Sequence, residues 1–180
     1  MKKSYLRLLC LVLSTILILF SLSACNENAN SEESETTAEQ SVSTAPNFSA
    51  ISAENGETVK LSDKFGKPIV INFWASWCYP CKSELPDFEE MYKKYGGEVE
   101  FMMVNLTSGR ETKEVAAAFI ESCGYTFPVY YDTMSSGVMA YGISAIPLTV
   151  FVNQDGSIAS YYNQMIDGET LENGIKSIIG

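Results

Sequence analysis

Histidine is absent from the 180-residue chain. That removes histidine-based triads and histidine metal sites from the chemistry available to it. Basic residues are also few, 12 Lys and Arg against 22 Asp and Glu, for a formal charge of −10. Three of the twelve, Lys2, Lys3 and Arg7, fall within residues 1–24, which hold no acidic side chain; the remainder has nine basic against twenty-two acidic residues, a charge of −13. Nucleic acid and anionic lipid headgroups are poor partners for a surface of that sign. The length suits one domain with some residues to spare, and no internal repeat marks a second.

What is present begins with that positive start and an uncharged apolar run over residues 8–22. The run is short of the roughly 20 apolar residues that a spanning helix needs, so residues 1–24 read as a signal peptide. "LSAC", ending at Cys25, resembles the lipobox of bacterial lipoproteins. The resemblance implies that Cys25 is lipidated and becomes the mature N-terminus, anchoring the protein at the extracytoplasmic face of the bacterial cell membrane. Residues 26–46 are mostly Ser, Thr, Glu, Asn and Ala and contain no aromatic residue. Such a stretch buries too little apolar surface to offset its ordering entropy, and a disordered acidic tether is expected over residues 25–46, with a domain over residues 47–180.

Within the domain, two short alternating pieces flank Asn55-Gly56 in residues 48–61, the pattern of a β-hairpin. Residues 69–74 are the continuous apolar run of a central strand. From Cys78 to about Tyr95 the apolar residues Leu85, Phe88, Met91, Tyr92 and Tyr95 take helical spacing, with Pro86 expected to kink the helix. A second strand is expected over residues 99–106, an Ala-rich helix over 111–124, a short strand over 127–131 and a short helix over 135–140. Strands over 148–152 and 158–162 follow, and Asp167 caps a last helix reaching about Ile179. Strands alternating with helices, then an antiparallel pair and a closing helix, describe an α/β chain with a three-layer α/β/α sheet.

The chemistry concentrates in "WASWCYPCKSELP", residues 74–86. Two cysteines separated by Tyr79 and Pro80 suit a metal clip, a structural disulfide or a redox dithiol. A helix N-terminus favours a thiolate, so Cys78, at the start of the helix, is placed as nucleophile. Cys81 lies about one turn further on, within reach of a mixed disulfide on Cys78, as resolving thiol. As a structural disulfide the pair would close too small a loop to stabilise much. As a zinc site it would need Cys123 and a fourth ligand, in a chain without histidine.

"NFWASWCYPC", the entry "LSDKFGKP" and the later Ala145-Ile146-Pro147 resemble the TlpA/ResA-like extracytoplasmic thiol-disulfide oxidoreductases of the thioredoxin fold. The resemblance spans about residues 48–180 and implies a thioredoxin-like α/β/α fold with an N-terminal β-hairpin. It further implies a cis Ile146-Pro147 bond facing Cys78, with Ile146 offering backbone to an extended substrate, and an active-site glutamate at Glu84. Beside a thiol, a carboxyl group exchanges a proton or moves the thiol pKa. The competing reading of Glu84 is a solvated surface acid paired with Lys82 or Lys93. Many cytoplasmic thioredoxins have an aspartate where this chain has Asn72, which leaves Glu84 as the proton carrier. Trp77, Tyr79 and Pro80 are expected at the substrate surface, Trp74 either there or in the core, and Cys123 as a small buried residue.

The function so implied is a membrane-tethered oxidoreductase that uses no cofactor and no metal and reduces disulfides of extracytoplasmic proteins. Apocytochrome c and methionine sulfoxide reductase are the implied substrates, and a CcdA- or DsbD-like membrane protein is the implied electron donor. The alternatives are a disulfide-forming oxidase or isomerase and a metal-carrying lipoprotein. The related Sco-type copper carriers use CxxxC with a histidine, both missing here. Ala75 stands where peroxiredoxins have a threonine three residues before their cysteine, which disfavours peroxidase chemistry.

Overall fold

The alternating pieces around Asn55-Gly56 pair as antiparallel strands β1 (Ser49–Ser52) and β2 (Thr58–Lys60), with Gly56 supplying the positive φ of 75° that their connection requires. These and the following elements come from a computed structural model, which describes residues 43–180. The signal peptide, Cys25 and the tether up to residue 42 lie outside the described residues. A 3₁₀ turn, Leu61–Lys64, which the sequence reading did not anticipate, buries Leu61 completely.

Strand β3 (Ile69–Trp74) is buried along its whole length because both faces of the sheet are covered. It leads into helix α1 (Tyr79–Tyr95), which runs through Pro86 without a break. Strand β4 (Glu100–Asn105), helix α2 (Lys113–Cys123), strand β5 (Val129–Tyr131) and helix α3 (Ser136–Tyr141) follow. Strands β6 (Leu148–Val152) and β7 (Ile158–Tyr162) and helix α4 (Gly168–Ile179) complete the chain. The seven-stranded sheet has the order β2-β1-β5-β4-β3-β6-β7; β3, β4 and β5 are parallel, and the other neighbours are antiparallel.

Period-two alternation divides the core into two layers. Val70, Trp74, Phe101, Met103 and Phe151 face α1, α2 and α4, whose Leu85, Phe88, Ala116, Leu171 and Ile175 pack on them. Ile69, Ile71, Phe73, Met102, Val104 and Val150 point the other way, toward Phe48, Leu61 and Tyr141. Asn72 has the parity of Val70 and Trp74, so β3 carries an amide into the layer beneath α1.

Residues 43–46, assigned by sequence to the tether, belong to the folded unit. Ala45 is buried and its N–H donates to the Gly156 carbonyl (2.9 Å), while Ile158 N–H donates to Ser43 O (2.9 Å). Two main-chain bonds beside β7 thus hold a segment whose composition reads as unstructured. Among the described residues, no helix is long and apolar enough to cross a membrane.

Candidate active site

β3 ends at Trp74, and a turn closed by Cys78 N–H donating to Ala75 O (3.1 Å) carries the chain into α1. Cys78 is the N-cap of that helix, and its Sγ accepts from Cys81 N–H at 3.2 Å. A sulfur therefore occupies the position where a capping oxygen usually satisfies a free helix N–H. The two cysteines form a disulfide, S–S 2.02 Å and Cα–Cα 5.3 Å. Cys81 is fully buried and Cys78 is 4% exposed, so Cys78 is the sulfur nearer to solvent.

The Ile146-Pro147 peptide is cis, as the resemblance implied. Ile146 O lies 3.7 Å from Cys78 Sγ. The disulfide has no S–H to donate, so this carbonyl is the acceptor that a reduced Cys78 thiol meets. Trp77, Tyr79 and Pro80 are exposed around the cysteines, Ile146 is half-buried and Pro147 is buried. Trp74 belongs to the core, fully buried with its ring 5.8 Å from that of Phe119.

Glu84 is not a surface acid: it is 1% exposed, and Lys93, one of its expected partners, pairs with Glu89 instead (3.0 Å). Its Oε1 accepts from Asn72 Nδ2 (2.8 Å) and its Oε2 from Ile166 N–H (3.0 Å). Burial pushes the Glu84 pKa up to about 7, against the pull of those two donors and with a further push from the Asp87 charge. Asn72 also donates to Thr149 Oγ1 (3.1 Å), which faces it across the β3–β6 ladder, and its own Oδ1 has no partner. Thr149 and the Ile166 main chain were not singled out by sequence. A threonine in an apolar strand and a backbone N–H 82 positions from Glu84 carry no local signal.

Glu111 was also missed. Composition makes it the first residue of the Ala-rich helix, but Thr112 is the N-cap, its Oγ1 accepting from Val115 N–H, and Glu111 turns inward at 2% exposure. Its Oε1 accepts from Ser76 N–H (2.8 Å) and Asn105 Nδ2 (2.7 Å), and its Oε2 from Ser76 Oγ (2.7 Å). Cys123, expected to be buried, is exposed. It prolongs the inward stripe of Ala116, Phe119 and Ile120 by one turn, but α2 stops there at Gly124 and leaves the position in solvent. Among the described residues, no three side chains of metal-ligating type converge.

A CxxC disulfide whose first cysteine caps a helix, beside a cis-proline loop on a mixed sheet of this order, defines a thioredoxin-fold thiol-disulfide oxidoreductase. The chain belongs to the AhpC/TSA family, whose model matches residues 42–161. It is 38% identical over 117 residues to the thiol-disulfide oxidoreductase ResA of Bacillus subtilis, a match covering 64% of this chain and 63% of that relative's length. With ResA of Geobacillus thermodenitrificans it shares 32% identity over 170 residues, 93% of this chain and 95% of the relative. The crystal structure of StoA from Bacillus subtilis superposes with a TM-score of 0.64 at 29% identity, covering 74% of this chain and 99% of StoA.

Proposed function

We propose that the protein is a membrane-tethered reductant that passes electrons from the Cys78/Cys81 dithiol to disulfides of proteins outside the cytoplasm. The reading rests on one observation above all: a disulfide at the N-terminus of α1 with a buried carboxyl group, Glu84, one turn beyond Cys81. The Cys78 thiolate, favoured by the helix end, attacks one sulfur of a substrate disulfide; a mixed disulfide forms and one substrate thiolate leaves. Cys81 then gives up its proton and attacks Cys78 Sγ, so that the intramolecular disulfide forms and the second substrate thiolate departs. Two electrons have moved from dithiol to substrate. Glu84, with a pKa near neutrality, takes the Cys81 proton and releases it toward the leaving thiolates.

Trp77, Tyr79 and Pro80 supply the exposed surface beside the reacting sulfur, and Ile146 and Pro147 receive an extended substrate segment. The exchange uses no cofactor and no metal. Residues 1–24 act as a signal peptide, and Cys25 carries the lipid anchor that keeps the domain at the outer face of the cell membrane. A CcdA- or DsbD-like membrane protein refills the dithiol, which an oxidising compartment would otherwise leave as disulfide. Apocytochrome c and methionine sulfoxide reductase are the substrate classes that fit this direction of flow.

The test combines trapping with a potential. Cys81→Ser is expected to accumulate mixed disulfides with extracytoplasmic partners in cells, and Cys78→Ser is not. Equilibration with dithiothreitol or glutathione buffers is expected to give a value toward the reducing end of the fold's range, which runs from about −270 to about −120 mV. A value at the oxidising end, with newly secreted reduced chains as trapped partners, would leave a disulfide-forming oxidase or isomerase in place of the reductant.

A further inference from the structure

The peptide unit joining Ala75 to Ser76 is one rigid plane. Its C=O end accepts from Cys78 N–H at 3.1 Å, closing the turn that delivers the nucleophilic cysteine to the head of α1. Its N–H end is held by Glu111 Oε1 at 2.8 Å, and the Ser76 hydroxyl is held by Oε2 at 2.7 Å. The two oxygens of one carboxyl group therefore grip one residue from both its main chain and its side chain.

Glu111 is itself fixed from a second direction. Asn105, fully buried at the end of β4, donates to Oε1 at 2.7 Å, and Thr107 Oγ1 donates to Asn105 Oδ1 at 3.0 Å. Among the described residues, no Lys or Arg forms an ion pair with Glu111. Glu89 offers a contrast: it too is buried and binds main-chain and side-chain donors, of Thr126 and Phe127, but it has Lys93 as counter-charge and lies two turns further along α1 from the cysteines. A buried carboxyl group without a cation is held by its hydrogen bonds alone, and it persists only where they are well satisfied. Here all three come from the active-site turn and the strand end beneath it.

We infer that Glu111 is a positioning residue for thiol-disulfide exchange, locking the Ala75-Ser76 peptide plane so that Cys78 is presented at the start of α1. The inference rests on the reading of Cys78 and Cys81 as an exchange centre. Glu111 touches neither sulfur nor substrate; it acts through the turn. Loss of the clamp lets the plane rotate, and small misplacements of a reacting group carry large rate penalties.

The test uses the full chain with a disulfide-containing model peptide as oxidant and follows exchange rate, iodoacetamide titration of the Cys78 thiol, and hydrogen exchange at the Ser76 amide. Glu111→Ala is expected to slow exchange about tenfold, to raise the Cys78 titration midpoint and to deprotect the Ser76 amide. Glu111→Gln accepts from the Ser76 and Asn105 N–H groups through its carbonyl oxygen and donates to the Ser76 hydroxyl, so most of the rate returns and the titration does not move up. A Glu111→Ala protein with a lowered melting temperature but wild-type rate and titration would make the residue a purely structural strut and overturn the inference. Should Glu111→Ala fail to fold, Ser76→Ala, which removes only the hydroxyl bond, decides: a slowed exchange supports the clamp, and an unchanged one sinks it. A wild-type protein inert toward the peptide and toward dithiothreitol would overturn the exchange reading itself, a result distinct from either.

Discussion

Glu84 is a weak acid held where its charged form is disfavoured, and that couples folding to pH. In the unfolded chain a glutamate titrates near 4.3, whereas in the fold burial holds Glu84 at about 7. Between those values the folded state keeps a proton that the unfolded state has lost, so stability falls as pH rises through the window and levels off above it. The ceiling on this contribution is about 4 kcal/mol. Glu84→Gln is expected to remove the slope, so that the urea stability of the variant relative to wild type rises by about 2 to 3 kcal/mol between pH 4 and pH 8; parallel curves would show that the carboxyl group does not titrate in that range. The same variant is expected to flatten the pH profile of exchange near neutrality. Asn72→Val removes one of the two donors that favour the carboxylate, and is expected to move that profile to higher pH; an unchanged midpoint would put the control elsewhere. The three-residue spacing from Cys81 was legible in the sequence, and the burial was not. Burial depends on Asn72 from β3, Thr149 from β6 and Ile166 ahead of α4, and no window of sequence contains them together. Cys123 fails in the opposite sense: composition places a small apolar-type residue inside, while the end of its helix leaves it outside.

The elements themselves were largely legible because the sheet is covered on both faces. β3, β4 and β6 read as mainly apolar runs, interrupted inside β3 by Asn72 and inside β6 by Thr149, and α1 shows a clean helical stripe. Boundaries followed local competition instead: the Ala-rich helix starts at Lys113 because the Thr112 hydroxyl caps it, which frees Glu111 for the turn at Ser76. Close packing between α4 and β6 was invisible in sequence, since it depends on a residue with no side chain. A Cβ at Gly174 would stand 2.3 Å from Cζ of Phe151, which is itself fully buried. Gly174→Ala is therefore expected to push α4 off the sheet and destabilise the protein by about 1 to 3 kcal/mol, the usual range for overpacking. Because the segment entering α4 supplies the Ile166 N–H to Glu84, the pH profile of exchange is expected to move upward with it. Urea denaturation checks the first expectation and the pH dependence of the exchange rate the second; an unaltered midpoint of unfolding would mean that the ring of Phe151 moves aside freely.

At the scale of the whole molecule, the point where the fold begins sets how far the domain can travel from its proposed anchor. By composition the domain starts at residue 47, since residues 43–46 resemble the Ser-, Thr- and Ala-rich stretch that precedes them. In the fold, Ala45 is buried, Pro46 lines a cavity with Tyr141 and Leu148, and Ser43 and Ala45 make main-chain bonds beside β7. With Cys25 lipidated as proposed, residues 26–42 are the span left between anchor and fold, 17 residues with a fully extended length on the order of 60 Å. Under that proposal, the membrane-embedded donor and the substrates proposed for the dithiol are both met within the reach of that span. A chain beginning at Ser43 is expected to unfold at the same urea concentration as a chain retaining residues 26–42. A chain beginning at Asn47 loses the two main-chain bonds, about 1 kcal/mol each, together with the cover that Ala45 and Pro46 give to the second core layer. Its midpoint is expected to fall by the equivalent of about 2 kcal/mol, with exchange kinetics at neutral pH unchanged because Cys78, Glu84 and Glu111 keep their partners. Equal midpoints for the two truncations would return residues 43–46 to the tether and lengthen its reach by four residues.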